Sequence, residues 1–226
     1  LTRSCRAKVI PFSIKEELPL GAYLRADGML VIKNEAGEGL ELCRRDELKI
    51  IGDHNVQNAL AAAAISYFAG IDVKTISESL RAFGGVAHRI EYCGEIGGVK
   101  FYNDSIASSP SRTIAGLRSF SEKVILIAGG YDKHIPYDVL GPEIAAHVKL
   151  LVCTGATGPK IAAAARAVPD APEVLEIPDF YEAVHAAAQQ AKPGDIVLLS
   201  PASAAFDRFK NFMVRGAEFK KTVMAL

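Results

Sequence analysis

From about residue 90 to its end, this 226-residue chain alternates short apolar runs with helix-patterned segments of roughly ten residues. No other feature of the sequence restricts the fold as tightly. Glu91–Ile96 and Val99–Asn103 read as a hairpin or two edge strands around Gly97-Gly98. Beyond them the pattern predicts strands over Val124–Ala128, Lys149–Thr154, Val174–Ile177 and Ile196–Leu199. Helices are expected over Ser111–Phe120, Val139–His147, Pro159–Ala167, Tyr181–Ala191 and Phe209–Met224. Strands separated by helices imply crossover connections, hence an α/β fold whose mainly parallel sheet carries helices on both faces. In such sheets ligands sit outside the carboxyl ends of the strands. The small residues Ser200-Pro201-Ala202-Ser203-Ala204-Ala205 follow the last strand at that edge, and they let a ligand approach the backbone. Asp207, Lys210 and Asn211 come next. The same stretch also reads as an ordinary last strand and its capping helix.

Residues 1 to about 50 have a different texture, with short extended pieces. Lys8–Phe12 alternates, while Ala22–Arg25 and Met29–Lys33 flank the turn Asp27-Gly28. Asp53 is placed to cap a helix from His54 to Phe68 ending at Gly70, and Asp72 a second helix reaching Phe83 before Gly84-Gly85. The link near Ala87-His88-Arg89 divides the chain into residues 1–88 and 89–226.

Composition narrows the function. Formal net charge is zero, which gives no footprint for nucleic acid or an anionic membrane surface. No apolar run approaches the length that spans a bilayer. Cys5, Cys43, Cys93 and Cys153 are scattered, with no CxxC pair and no His at metal-ligand spacing, as for unpaired thiols in a reducing compartment. Leu1–Arg6 lacks a signal-peptide pattern and there is no starting Met. The expectation is a soluble, cytoplasmic, monomeric protein without a metal site in this stretch.

Four short segments can carry chemistry, and a fifth only superficially resembles one that does. Asp104, in Asn103-Asp104-Ser105 at a strand end, can accept hydrogen bonds from a ribose diol, or Asp104 or Ser109 can cap the next helix. Gly129-Gly130-Tyr131-Asp132-Lys133 follows the most apolar strand and brings a cation to the same edge, suited to phosphate or carboxylate unless it is a solvated loop lysine. Asn55 and Asn58, one helical turn apart, can read a base such as adenine or serve the helix start. Arg89, in His88-Arg89-Ile90-Glu91, can reach phosphates with Glu91 holding it, or form a plain ion pair at the junction. Gly155-Ala156-Thr157-Gly158-Pro159-Lys160 lacks the spacing of a phosphate-binding loop and reads as a tight strand-to-helix turn. There is no credible Ser-His-Asp set, and no catalytic residue is assigned.

Taken in order, Gly52-Asp53-His54-Asn55-x-x-Asn58, His88-Arg89-x-Glu91, Asn103-Asp104-Ser105, Gly129-Gly130-x-Asp132-Lys133 and Ser200-Pro201-Ala202-Ser203 with Phe206-Asp207-x-Phe209-x-Asn211-Phe212 resemble the Mur ligases. The resemblance runs from about Lys8 to the end and is strongest to the members that join D-glutamate to UDP-N-acetylmuramoyl-L-alanine. It implies the last part of a central ATP-binding domain over 1–88 and a Rossmann-like C-terminal domain over 89–226. It also implies ATP and Mg2+ as cofactors, with the metal ligands, the phosphate-binding loop and the UDP-binding domain outside this chain. Read this way, the chain is a fragment that is inactive alone. By the same resemblance Asn55, Asn58, Arg89 and Asp104 would bind the nucleotide, and Ser108, Lys133 and Phe212 the D-glutamate.

Two positions depart from the family pattern. Ile106 stands where many relatives carry lysine, and Ala205 where many carry a serine that holds D-glutamate, with Ser203 two residues earlier. The alternatives are another Mur ligase, a folylpolyglutamate synthase-like ligase, or a noncatalytic nucleotide-binding domain. The joint retention of Asn58, Arg89, Asp104 and Lys133 speaks against the last.

Overall fold

The computed structural model describes residues 6–226 and divides into two compact units between Gly84 and Gly85. Cys5 lies outside the described residues, and Cys43, Cys93 and Cys153 are free thiols.

In the first unit a four-stranded sheet runs in chain order through β1 (Phe12–Ser13), β2 (Gly21–Leu24), β3 (Met29–Lys33) and β4 (Gly39–Arg44). The Asp27-Gly28 turn joins β2 to β3 as expected, and the Asp27 carboxylate accepts from the Met29 N–H at 3.1 Å. Two readings change. Of Lys8–Phe12 only Phe12 is in a strand, pairing parallel to β2, and β4, not foreseen, pairs with β3. Helix α1 (Asp53–Phe68) begins one residue early, with Gly52 and not Asp53 at the cap, and Asp53 pairs with Arg45. Helix α2 (Val73–Ala82) is capped by Asp72, which accepts from the Thr75 N–H at 2.9 Å. Leu30, Ile32, Leu42, Leu60, Ala63 and Ile76 form the core between these helices and the sheet.

The second unit carries a six-stranded sheet. Its strands are β5 (Glu91–Ile96), β6 (Val99–Asn103), β7 (Val124–Gly129), β8 (Val148–Thr154), β9 (Glu173–Glu176) and β10 (Ile196–Leu199). They lie in the order β5-β6-β10-β7-β8-β9, antiparallel only between β5 and β6. Gly97 and Gly98, both at positive φ, close the β5–β6 hairpin in the conformation a two-residue turn demands. Helices α3 (Pro110–Leu117), α4 (Leu140–His147), α5 (Gly158–Arg166), α6 (Phe180–Gln190) and α7 (Phe212–Val223) complete the α/β architecture. Side chains alternate across the strands. Ile125, Ile127, Leu150, Val152, Val197 and Leu199 meet Phe180, Val184, Phe219 and Val223 of α6 and α7. Leu126, Leu151 and Leu198, also buried, face the other way.

Helix α7 starts at Phe212, not Phe209, because Asn211 caps it by accepting from the Val214 N–H at 3.0 Å. Phe209 instead packs edge-on against Phe180, centroids 5.0 Å apart. Among the described residues no helix is long and apolar enough to cross a membrane.

Candidate functional site

The register aligns the ends of three neighbouring strands. Leu199 lies opposite Asn103 on one side and Ile127 on the other, so the loops after β6, β10 and β7 leave the sheet together. Backbone bonds prolong the contact past the strands: Asp104 N–H to Leu199 O at 2.7 Å and Gly129 N–H to Pro201 O at 2.8 Å. A side chain on Gly129 would collide with the Thr154 backbone at 1.8 Å, and one on Gly130 with Ala204 O at 2.3 Å. Only glycines let these loops close on one another.

Asp104 sits at this edge, 4% exposed. Its Oδ2 accepts from the Ser200 hydroxyl at 2.8 Å, and its Oδ1 has a long contact, 3.3 Å, with the Ile90 N–H. Burial pushes its carboxyl up to about 7, against the pull of those hydrogen bonds and of Arg89 and Arg112. Near neutral pH it is therefore part acid and part carboxylate. It does not cap α3, and neither does the Ser109 side chain, which meets the Ser111 hydroxyl instead. Oδ1 is the oxygen with hydrogen-bonding capacity to spare.

Lys133 is exposed, and its ammonium donates to the Ser108 carbonyl at 2.6 Å. Asp132 beside it is engaged elsewhere, with Lys160 at 2.5 Å and the His134 N–H at 2.8 Å. Lys133 thus reaches the loop that begins at Asp104, and its bonding partner is neutral. The Ser108 residue is half-buried, and its carbonyl, not its hydroxyl, meets the lysine. Phe212 is half-buried at the first position of α7, edge-on to His88, while its carbonyl accepts from the Ser105 hydroxyl at 2.8 Å.

Arg89 is exposed in a turn whose flanking residues, His88 and Ile90, both have positive φ. A β-branched residue in that region is costly and must be held there by its surroundings. Glu91 does not hold Arg89 as expected. Its carboxylate pairs with Lys220 at 2.7 Å and accepts from the His88 N–H at 2.8 Å and the Asn103 amide at 3.1 Å. The carboxylate therefore secures the backbone just before Arg89, and the Arg89 side chain is left exposed.

Asn55 and Asn58 belong to the first unit. Asn55 is buried; its amide donates to Ile51 O at 2.8 Å and its oxygen accepts from the Asn58 amide at 3.3 Å. Asn58, exposed, keeps its own carbonyl oxygen for another donor.

Ser203 cannot stand in for a serine at position 205. It is fully buried, with its hydroxyl 2.9 Å from the Tyr137 hydroxyl and 2.7 Å from that of Thr157. The Cys93 and Cys153 thiols are pushed up to about 12 by burial, so neither is a nucleophile near neutral pH. Among the described residues no cluster of His, Cys, Asp and Glu could hold a metal. Arg215 went unnoticed in the sequence, although a charged residue on the apolar stripe Phe212, Phe219, Val223 of α7 was a visible signal.

A buried carboxyl, a lysine and small-residue loops thus share one carboxyl edge of the sheet. The family description "Mur ligase, glutamate ligase domain" matches residues 88–203, and the chain belongs to the Mur ligase family. It is 50% identical to the UDP-N-acetylmuramoylalanine–D-glutamate ligase of Acetivibrio thermocellus, over 98% of this chain and 48% of the relative. The enzyme of the same name from Clostridium novyi is 46% identical over 99% of this chain and 48% of the relative. The chain thus spans about half the length of the curated relatives it matches. Among solved structures, the UDP-N-acetylmuramate–alanine ligase of Thermotoga maritima shares the fold, with a TM-score of 0.67 at 17% identity, covering 96% of this chain and 48% of that one.

Proposed function

We propose that this chain carries the amino-acid-binding part, and a share of the nucleotide-binding part, of a ligase that joins D-glutamate to UDP-N-acetylmuramoyl-L-alanine at the expense of ATP. The observation that carries this reading is the Lys133 ammonium held 2.6 Å from the Ser108 carbonyl, on the strand edge that also bears Asp104. The 50% identity to a D-glutamate ligase over nearly the whole chain supports the choice of substrate.

In this reading the alanyl carboxylate takes the terminal phosphoryl group of ATP, forming an acyl phosphate while ADP leaves with the electron pair of the broken P–O bond. The uncharged amine of D-glutamate attacks the acyl carbon, the nitrogen gives up one proton to solvent, and inorganic phosphate leaves with the electron pair of the broken C–O bond as the amide forms. Lys133 would pair with a carboxylate of D-glutamate, with Ser108 and Phe212 shaping the same subsite. Pairing a cation with a substrate carboxylate fixes where the amine lies, and orientation of this kind lowers the barrier without chemistry by the protein. Asn55, Asn58 and Asp104 would bind adenine and ribose, and Arg89 the phosphates. A magnesium ion would neutralise phosphate charge; among the described residues no cluster of His, Cys, Asp and Glu could hold it. Residues 1–226 by themselves are expected to turn nothing over and to bind ATP weakly.

The test is amide formation by the gene product that contains this chain, with ATP, UDP-N-acetylmuramoyl-L-alanine and one amino acid at a time. D-glutamate-dependent phosphate release with a matching amide product is expected. A preference for another amino acid would move the assignment to a different ligase of the family, and ATP binding without any amide would support a noncatalytic domain.

A further inference from the structure

Among the described residues Arg215 is the largest fully buried side chain, 2% exposed. Its guanidinium uses its donors in four directions. Nε donates to the Ser105 hydroxyl at 3.0 Å and Nη1 to Ala204 O at 2.9 Å, while Nη2 donates to Ser105 O at 2.9 Å and Ser203 O at 3.0 Å. None of these partners is a carboxylate. Burial pulls its pKa down to about 10, with Asp207 opposing the shift, so it stays charged at neutral pH. A buried cation satisfied by neutral oxygens contributes little to stability by itself. What it does supply is geometry: a planar fork whose donors fix several acceptors at once, which an ammonium cannot imitate.

Those acceptors belong to two different loops. Ser105 lies between Asp104 and Ser108 in the loop after β6, and its hydroxyl passes the contact on to Phe212 O at 2.8 Å. Ser203 and Ala204 belong to the turn after β10, which Tyr131 joins through its N–H to Ala204 O at 2.9 Å, two residues before Lys133. Gly130 has no room for a side chain because Ala204 O and Arg215 Nη1 occupy the space. Phe212 is thus two hydrogen bonds from this guanidinium, and Ser108 and Lys133 lie three and two residues along the chain from Ser105 and Tyr131, which it holds directly or through Ala204 O.

We propose that Arg215 is a positioning residue, setting the spacing between the Asp104–Ser108 loop and the Ser203–Phe206 turn, and through it the shape of the amino-acid subsite. The assignment of that subsite rests on the ligase reading; the clamp itself does not.

Two substitutions separate geometry from charge. Arg215→Lys keeps the cation and loses the fork, and Arg215→Met loses both. In the gene product that contains this chain, both should raise the KM for D-glutamate by roughly tenfold or more, the scale of a lost charged hydrogen bond, and shift the KM for ATP by less than about threefold. Amide hydrogen exchange at Gly129 and Tyr131, whose N–H groups bond to the turn, should accelerate in both variants. Ser105→Ala removes one clamp contact without stranding the cation, and should give a smaller shift of the same kind even if the Arg215 variants do not fold. Recovery of the D-glutamate KM by Arg215→Lys would make charge, not geometry, the property in use and overturn the proposal. So would an equal loss for both substrates, a fall in kcat alone, or unchanged exchange at Tyr131. If the unaltered protein joins no D-glutamate, the ligase reading fails, and the exchange measurement still judges the clamp.

Discussion

The two edges of the six-stranded sheet are built on different principles. At the amino edge, turns are short and exposed: Lys149 pairs with Asp195 at 2.7 Å, and Gly194 N–H bonds to Gly98 O at 2.8 Å. At the carboxyl edge, Asn103, Asp104, Ser105, Thr157, Ser200, Ser203 and Arg215 are all buried. His88, Ile90 and Ala202, at that same edge, hold the left-handed backbone conformation that non-glycine residues avoid. Buried polar groups and strained residues lower stability unless each finds its partner. Here every buried side-chain nitrogen and oxygen among the described residues does. A sheet of this kind closes without such a network, as its other edge demonstrates. The difference teaches that the carboxyl edge is shaped to hold particular groups at particular places, which is what a binding site requires.

The comparison can be broken, or sharpened, by substitution. The largest effect is expected at Asp104. Its carboxyl is held near 7 in the folded chain, against about 3.9 when unfolded, so the folded state keeps a proton the unfolded state releases between those values. Stability from this group is full below about pH 3.9, is lost progressively as pH rises to about 7 and changes little beyond, a change on the order of 3–4 kcal/mol. Urea midpoints across this range should fall with pH in the unaltered chain and run flatter in Asp104→Asn; equal slopes would show that Asp104 is not the titrating group. Next comes Lys133→Ala in the gene product containing this chain. Affinity for D-glutamate should drop by roughly ten- to a hundredfold while that for ATP changes much less. Steady-state kinetics with each substrate varied separately decide this, and equal losses would assign Lys133 another role.

Smaller still is Ser203→Ala, which takes from the Tyr137 hydroxyl its buried partner and should cost about 1–3 kcal/mol by equilibrium unfolding. At the amino edge Lys149→Ala should cost less than about 1 kcal/mol, a value that shrinks further in salt because the pair is partly exposed. If the two edges lost equal stability on these substitutions, the contrast drawn between them would not hold.

The α/β architecture was legible from the chain because the central strands of the six-stranded sheet are short apolar runs separated by helix-patterned segments. The hairpin Glu91–Ile96 with Val99–Asn103 could be read to the residue, since Gly97-Gly98 names its turn locally. Strand β4 could not, because Gly39–Arg44 becomes a strand only by pairing with β3, a contact its own pattern does not announce. The beginning of α7 was misplaced because an apolar Phe209 looks alike in a helix and in a loop buried against Phe180.

For the site, the types of residue were readable and their roles were not. Asp104, Lys133 and Arg89 stand out in the sequence as charged residues beside glycines and strand ends. Whether Glu91 serves Arg89 or the backbone around it depends on Lys220, 129 residues away. Whether Ser203 can replace a missing hydroxyl at Ala205 depends on Tyr137 and Thr157. The sequence by itself determined most strands of the six-stranded sheet and which loops carry polar groups, because hydrophobic period and turn chemistry act over a few residues. Only the tertiary structure decided that Asp104 is buried, which pushes its carboxyl up, and that Arg215 binds two loops. Desolvation and hydrogen-bond geometry are set by neighbours far away in the chain, and no local pattern encodes them.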